Sequence, residues 1–420
     1  MARSPVAESS NVSKEAPMIH AGLRTATLAL LLSVPIGTAV AQVGSSTLDT
    51  DQLATTLITA NAGVKADDIV LITGTAEDLQ LLEDLAVQAR VIGAHPLIVV
   101  ESDRLMRRMF VDVPAEFDAQ SPRLGLELAR IVDVQINVPT GNDPGLLADV
   151  PPERFAAVGK TLQAVDAAQR EHGLRYLELN NEMYPTDWRA ERFGISRDEL
   201  SDLFWSAVQV EPARLQAAGE AIRSRIDNGK VLRITDPNGT DLEVGIEGRT
   251  AYVSDGVIDE TDLAKGPAGR SAWLPAGEAY VTPVPGTARG KVVVDRTFVE
   301  GQEIEDLTLE FQDGRVTSMT AASGLDRLKA IYDVADDAKA EFAYVDIGLN
   351  PSLAGNKDRM RSWTPAGMVT IGIGNNTWAG GENSSNFGWN GHLAGATVTI
   401  DGEPVVEAGS LKAGSVANGD

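Results

Sequence analysis

The chain has 420 residues, 43% of them apolar, and a formal net charge of −24. That is enough apolar material for two domains with separate cores, and so acidic a chain excludes a grip on nucleic acid, which rests on clustered Lys and Arg. The absence of cysteine excludes disulfides, thiolate metal sites and cysteine nucleophiles together.

At the start of the chain Arg24 precedes an apolar run, Ala26 to Val34, then Pro35, Gly37 and Ala39-Val40-Ala41 before Gln42. A positive residue, a short apolar core and a small-residue cleavage site make a signal peptide, so residues 1–41 are expected to direct export to the periplasm or medium, with Met18 as an alternative start. The run is shorter than the roughly 20 apolar residues of a spanning helix. No stable membrane span is therefore expected after cleavage.

Residues 42–229 alternate strand and helix patterns. Ile69 to Ile72 is a short apolar run, Thr75 to Arg90 carries leucines at 79, 82 and 85, and Pro96 to Val100 is again strand-like. Ile131 to Val138, a helix over Pro152 to His172, and Tyr176 to Leu179 continue the alternation, which implies a parallel sheet covered on both faces. Ser196 and Glu199 form a capping box opening a long helix, which Pro212 kinks or restarts.

After Asn228-Gly229 the character changes. Residues 230–420 carry short alternating segments, Val231 to Thr235, Leu242 to Ile246, Lys291 to Asp295, Leu307 to Phe311, Val369 to Ile373 and Ala396 to Ile400, separated by turns such as Asp313-Gly314 and Asp401-Gly402. One helical stretch, Gly324 to Ala340, interrupts them. The fold class expected is an α/β N-terminal domain, with a long interdomain helix, followed by a β-rich α+β C-terminal domain.

Motifs exclude several chemistries. Gly159-Lys160-Thr161 lacks the first glycine of a phosphate loop and falls inside a helix, and no dinucleotide fingerprint follows the first strand. There is no H-E-x-x-H, and no G-x-S-x-G elbow for a serine triad. His95 reads as a strand-boundary residue, and His172 as a helix C-terminal residue favoured by the dipole. His392 is the one histidine of the β-rich half.

Three segments carry a resemblance. Thr364 to Gly402 (TPAGMVTIGIGNNTWAGGENSSNFGWNGHLAGATVTIDG), Ile234 to Arg249 (ITDPNGTDLEVGIEGR) and Leu274 to Glu278 (LPAGE) resemble the aminopeptidase T / aminopeptidase S family of dinuclear metallopeptidases. NEMYPTDWRAERFGISRDEL, from Asn181, resembles that family's interdomain region. The resemblance implies an aminopeptidase T-like fold, two adjacent divalent ions, a homodimer, and release of N-terminal residues from peptides, with metal activating a water.

Position by position, the resemblance implies that Glu278 matches the first metal glutamate. It places Tyr344 where a second glutamate stands, Thr370 at a histidine, Trp378 at a tyrosine, and Gly388 and Asn390 at the last two ligands. Asp346, two residues from Tyr344, shares its face of a strand, and His392 is two residues beyond Asn390. Glu278, Asp346 and His392 are accordingly candidate ligands for one divalent ion (zinc, cobalt, manganese or iron), with Tyr344, Thr370, Trp378, Gly388 and Asn390 as pocket residues. The expected ligand is a peptide or small molecule. A metal-free pocket-binding protein is the alternative, and a mononuclear-iron ring-opening dioxygenase of similar fold is a further one.

Overall fold

The computed structural model describes residues 49–138 and 143–412. The signal-peptide reading of residues 1–41 lies outside them. No helix among the described residues is long and apolar enough to cross a membrane.

The first half is built from helices α1 (Thr50–Thr56), α2 (Leu79–Ile92), α3 (Asp103–Val111), α4 (Arg123–Ala129), α5 (Pro152–His172), α6 (Asp187–Phe193), α7 (Arg197–Val208) and α8 (Pro212–Asn228). They accompany strands β1 (Ile69–Thr75), β2 (His95–Glu101), β3 (Val134–Asn137) and β4 (Arg175–Leu179). Local chemistry accounts for the boundaries. The Ser196 hydroxyl accepts from the Glu199 amide at 3.1 Å and starts α7. Pro212 at the first position of α8 makes the expected long helix two. Gly93, at φ +98, closes α2 in the left-handed conformation that suits glycine.

The chain continues through β5 (Val231–Asp236), β6 (Thr240–Gly245), β7 (Ala251–Ser254), β8 (Ser271–Leu274), β9 (Glu278–Val281), β10 (Arg289–Val299), β11 (Gln302–Gln312), β12 (Arg315–Thr320), β13 (Phe342–Gly348), β14 (Val369–Gly374), β15 (Gly388–Leu393), β16 (Thr397–Ile400), β17 (Glu403–Glu407) and β18 (Ser410–Leu411). The helical stretch after Gly324 is a helix over Asp326–Val334 and a tight turn over Asp337–Ala340.

These strands make three sheets. A five-stranded parallel sheet has the order β2-β1-β3-β4-β8; two antiparallel sheets have the orders β12-β11-β10-β6-β5-β16-β17-β18 and β15-β14-β13-β9-β7. The fifth parallel strand, β8, comes from beyond Gly229 and pairs with β4 from Tyr176↔Ser271 to Leu179↔Leu274. The LPAGE segment therefore leaves one sheet at Leu274 and enters another at Glu278. Strands β7, β8 and β9 have no simple alternation because both their faces are covered, which erases the period-2 signal.

The two faces of the parallel sheet differ in chemistry. Ile72, Ile136, Leu177, Leu179 and Leu274 point into a large core shared with α1, α2 and α7. The opposite face has a small apolar core of Leu71, Val99 and Val132 near its far end. Beyond it the register sets Gln135 beside Tyr176 and Ser271, and Asn137 beside Glu178 and Trp273. That polar and aromatic stretch is a wall of the site. The antiparallel sheets enclose a second core, to which β13 and β14 contribute Val345, Ile347, Val369, Ile371 and Ile373, and α8 contributes Ile222 and Ile226.

Candidate functional site

Side chains directly opposite on neighbouring strands share a face. Across the five-stranded antiparallel sheet the register aligns Tyr252 with Tyr280, Tyr280 with Asp346, Asp346 with Thr370, and Thr370 with His392. The next row along holds Tyr344, Gly372 and Asn390. This face is turned from the apolar core toward the C-terminal end of β4, whose continuation is Asn180, Asn181 and Glu182.

Glu278 and Asp346 form the buried centre, 2% and 0% exposed. The Asn181 side chain donates to Glu278 Oε1 at 2.7 Å and to the Pro275 carbonyl at 2.7 Å. Both carboxylate oxygens of Asp346 are buried without a hydrogen-bond partner. Burial, and then the neighbouring Glu278 charge, push the Asp346 carboxyl well above the usual carboxylate range. The same two causes, with Asp346 added, raise the Tyr280 phenol.

His392 stands apart from that pair, on the far side of Thr370. Its Nδ1 lies 2.9 Å from Thr370 Oγ1 and its Nε2 lies 3.2 Å from Glu182 Oε2. Among the described residues no three His, Cys, Asp or Glu side chains gather as a metal-binding group. Glu278 and Asp346 are thus brought together, while His392 joins Glu182.

Aromatic rings fill the space between. Trp378 packs at 5.2 Å from Trp273, 5.3 Å from Tyr280, 4.9 Å from Tyr344 and 6.0 Å from Trp363, centroid to centroid. Tyr344 stacks on Trp363 at 5.4 Å, and Trp363 meets the His392 ring at 5.8 Å. The loop bearing Trp378 is held by Asn376, which donates to the Ala343 carbonyl at 3.2 Å, and by Asn383, which donates to the Gly374 carbonyl at 2.7 Å. The segment from Asn375 to Asn386 is a braced wall.

Outside that wall lies a cavity of about 960 Å³. Of the expected pocket residues, Tyr344, Trp378, Gly388 and Asn390 line it; Thr370, Glu278, Asp346 and His392 lie behind the lining. Glu178, Asn180, Asn181 and Glu182 line it too, and none of these four was singled out as a site residue from sequence. The Glu178 carboxylate is fixed by the Tyr176 hydroxyl at 2.7 Å and by Asn180 Nδ2 at 2.8 Å. Asn180 is held in turn by the fully buried Arg189 at 3.3 Å, whose pKa burial lowers to about 10. One signal was available: NNE runs on from a parallel strand end, where ligands of α/β sheets bind. The structure adds that Asn181 and Glu182 have φ of 42° and 61°, strained values for such residues.

The donor set can be tested against a metal. Two adjacent divalent ions need imidazole or several carboxylates, and Tyr344, Thr370, Gly388 and Asn390 supply neither. The residues therefore do not fit a dinuclear centre. The partnerless oxygens of Asp346 beside Glu278 do suit one hard cation with oxygen ligands.

Comparison with known proteins agrees with this architecture. The family model for thermophilic metalloprotease (M29) matches residues 47–348. Aminopeptidase 2 of Geobacillus stearothermophilus is 25% identical over 319 residues, which is 69% of this chain and 74% of the relative. The solved structure of wild-type AmpT from Thermus thermophilus superposes with a TM-score of 0.62 at 18% identity, covering 86% of this chain and 98% of that one. The 2,5-dihydroxypyridine dioxygenase of Pseudomonas putida KT2440 superposes with a TM-score of 0.52 at 15% identity, covering 87% and 97%. At those identities the two structures speak to the fold alone.

Proposed function

Because this chain belongs to the thermophilic metalloprotease (M29) family, we propose that it is an exported aminopeptidase-like hydrolase acting on peptides or related small amides through a pared-down site for one divalent cation. One observation carries the reading: the Asp346 carboxylate is fully buried beside Glu278 with both oxygens lacking a hydrogen-bond partner. Burying such a group unmatched costs several kcal/mol or forces it to keep a proton, and a cation shared with Glu278 removes that cost. Glu278 and Asp346 would hold the ion. When bound, it would act as a Lewis acid toward a carbonyl.

The remaining residues bind and orient. Asn181 lines the cavity and donates to Glu278 Oε1, so it couples the carboxylate pair to whatever occupies the cavity. Glu182 also lines the cavity, with His392 behind it at 3.2 Å; that pair can hold or release a proton at Glu182 Oε2. Trp378 packs on Tyr280, which lies opposite Asp346, so the aromatic rings lower the polarity around the carboxylates and strengthen charge interactions there. Export rests on the Arg24, Ala26 to Val34 and Ala39-x-Ala41 pattern, and a homodimer on the family resemblance.

Elemental analysis of residues 42–420, purified without an affinity tag, tests the reading. About one divalent ion per chain is expected, lost in Glu278→Gln, with chelator-sensitive hydrolysis of peptides. No bound ion after incubation with zinc, cobalt, manganese and ferrous iron, or hydrolysis indifferent to exhaustive chelation, would overturn it.

A further inference from the structure

The cavity runs along one face of the parallel sheet, and its two ends differ in charge. Glu178 and Glu182 stand at the Asn181 end, beside Glu278, and both are already held, Glu178 by Tyr176 and Asn180 and Glu182 by His392. At the other end α5 turns Asp166, Gln169 and Arg170 inward, three and four positions apart on one helix face. Arg270, the residue before β8, lines the same end.

Asp166 lies close enough to oppose Arg170 electrostatically. Arg270 has no such counterweight. Among the described residues no carboxylate is within ion-pair distance of it, and its hydrogen bond runs from Nη1 to the Arg170 carbonyl at 3.3 Å. The guanidinium lies over Gly173, where a Cβ would come within 3.1 Å of Nη1, so the close approach requires glycine. Nε and Nη2 have no partner among the described residues. Gln135 on β3 marks the same place. It is 3% exposed and lines the cavity, and its side chain makes no hydrogen bond among the described residues. The register sets it in one row with Tyr176 and Ser271, the chain neighbour of Arg270. A buried carboxamide without a partner is destabilising, and a ligand that accepts from its Nε2 removes that cost.

A guanidinium fork matches a carboxylate in shape as well as charge. We propose that the Arg270 end of the cavity is a subsite for a ligand's carboxylate, which Arg270 receives through Nε and Nη2 while Gln135 donates to the adjoining amide carbonyl. From Tyr176 to Asn180 β4 and its continuation rise about 13 Å, at roughly 3.3 Å per residue, so about four extended residues reach from this subsite to the Asn181 end. That the carboxylate ends a short peptide rests on the peptidase reading; the subsite itself rests on Arg270 and Gln135.

Calorimetry of the purified protein in chelator, with tetra-alanine and tetra-alanine amide as probes, tests this. The acid should bind at least tenfold tighter, the range of a hydrogen bond to a charged group. Arg270→Met should abolish that preference and leave affinity for the amide unchanged. Arg270→Lys, which keeps the charge without the fork, should retain part of it. Gln135→Met should weaken acid and amide alike without lowering the Tm of the free protein. Ala-Ala-Ala-Asp amide separates two sources of the carboxylate. Affinity matching the acid's, lost in Arg270→Met, assigns a side chain; affinity matching the plain amide's assigns the chain terminus. Equal affinity for acid and amide, no binding of the acid at millimolar concentration, or a preference that survives Arg270→Met sinks the proposal. With metal restored, a preference for the acid without hydrolysis keeps the subsite and removes the hydrolase reading. Hydrolysis indifferent to the carboxylate does the reverse.

Discussion

Replacing Asp346 by Asn separates a cation site from an emptied one. In chelator, burial and then the Glu278 charge favour the protonated form of the native Asp346 carboxyl, so a carboxamide of the same shape should change stability by no more than about 1 kcal/mol. The pH dependence follows from the direction of the shift. A carboxyl raised in the folded state keeps a proton that the unfolded chain releases above about pH 3.9, so stability falls as pH rises from there. Asp346→Asn should flatten that slope.

With metal the two proteins diverge. A cation present at a hundred times its Kd stabilises the folded state by about 2.7 kcal/mol, which for a domain of this size raises Tm by roughly 5–10 °C. The wild type should show that rise with at least one of zinc, cobalt, manganese or ferrous iron. Asp346→Asn, having lost one of two carboxylate ligands, should show little or none. Thermal melts of both chains in chelator and in each metal read the difference directly. If the two respond alike to every metal, whether both rise or neither does, the reasoning from the partnerless carboxylate fails.

Two further outcomes follow from packing and from titration. A methyl group at Gly372 would overlap the ring of Tyr344, so Gly372→Ala must push that ring off Trp363 and Trp378, costing about 1–3 kcal/mol. A urea midpoint equal to the wild type's would show that the aromatic wall is looser than its geometry. Asp166, on the cavity side of α5, has its carboxyl raised by burial to about 6, opposed by Arg170. Its native form binds more protons than the unfolded chain between about pH 4 and 6, so stability is lost as pH rises through that window. Asp166→Asn should be more stable than wild type by about 1–2 kcal/mol at pH 8 and equal to it at pH 3.5; denaturation at both values checks the sign.

Elements written in local chemistry were legible. α5 runs from Pro152 to His172 as its pattern required, and Ser196 caps α7. The apolar runs of β1 and β2 were evident as short apolar blocks, but only β1 is buried; β2 is an edge strand in which Leu97 and Val100 are 40% and 41% exposed, a difference that the runs themselves do not carry. Less could be read where burial on both faces removes periodicity. Ser271–Leu274 looked like part of the β-rich half, yet it completes the parallel sheet. Nothing local distinguishes SAWL beside β4 from SAWL anywhere else, since partner choice is a long-range property.

The site divides along the same line. The family and the α/β and β-rich halves were legible in sequence, and Glu278 by resemblance and Asp346 and His392 by spacing could be named as candidates. Their relation could not, because it depends on the register of β9, β13, β14 and β15, which sets Thr370 between Asp346 and His392. Nor could the second carboxylate system, where Glu182 approaches from a turn 210 residues away in sequence to meet His392. The sequence by itself determined which residues can carry charge, ring or hydroxyl, and which local elements hold them. Only the tertiary structure decided which of them meet, because distances between side chains on different strands are set by pairing and packing, and no spacing along the chain encodes those.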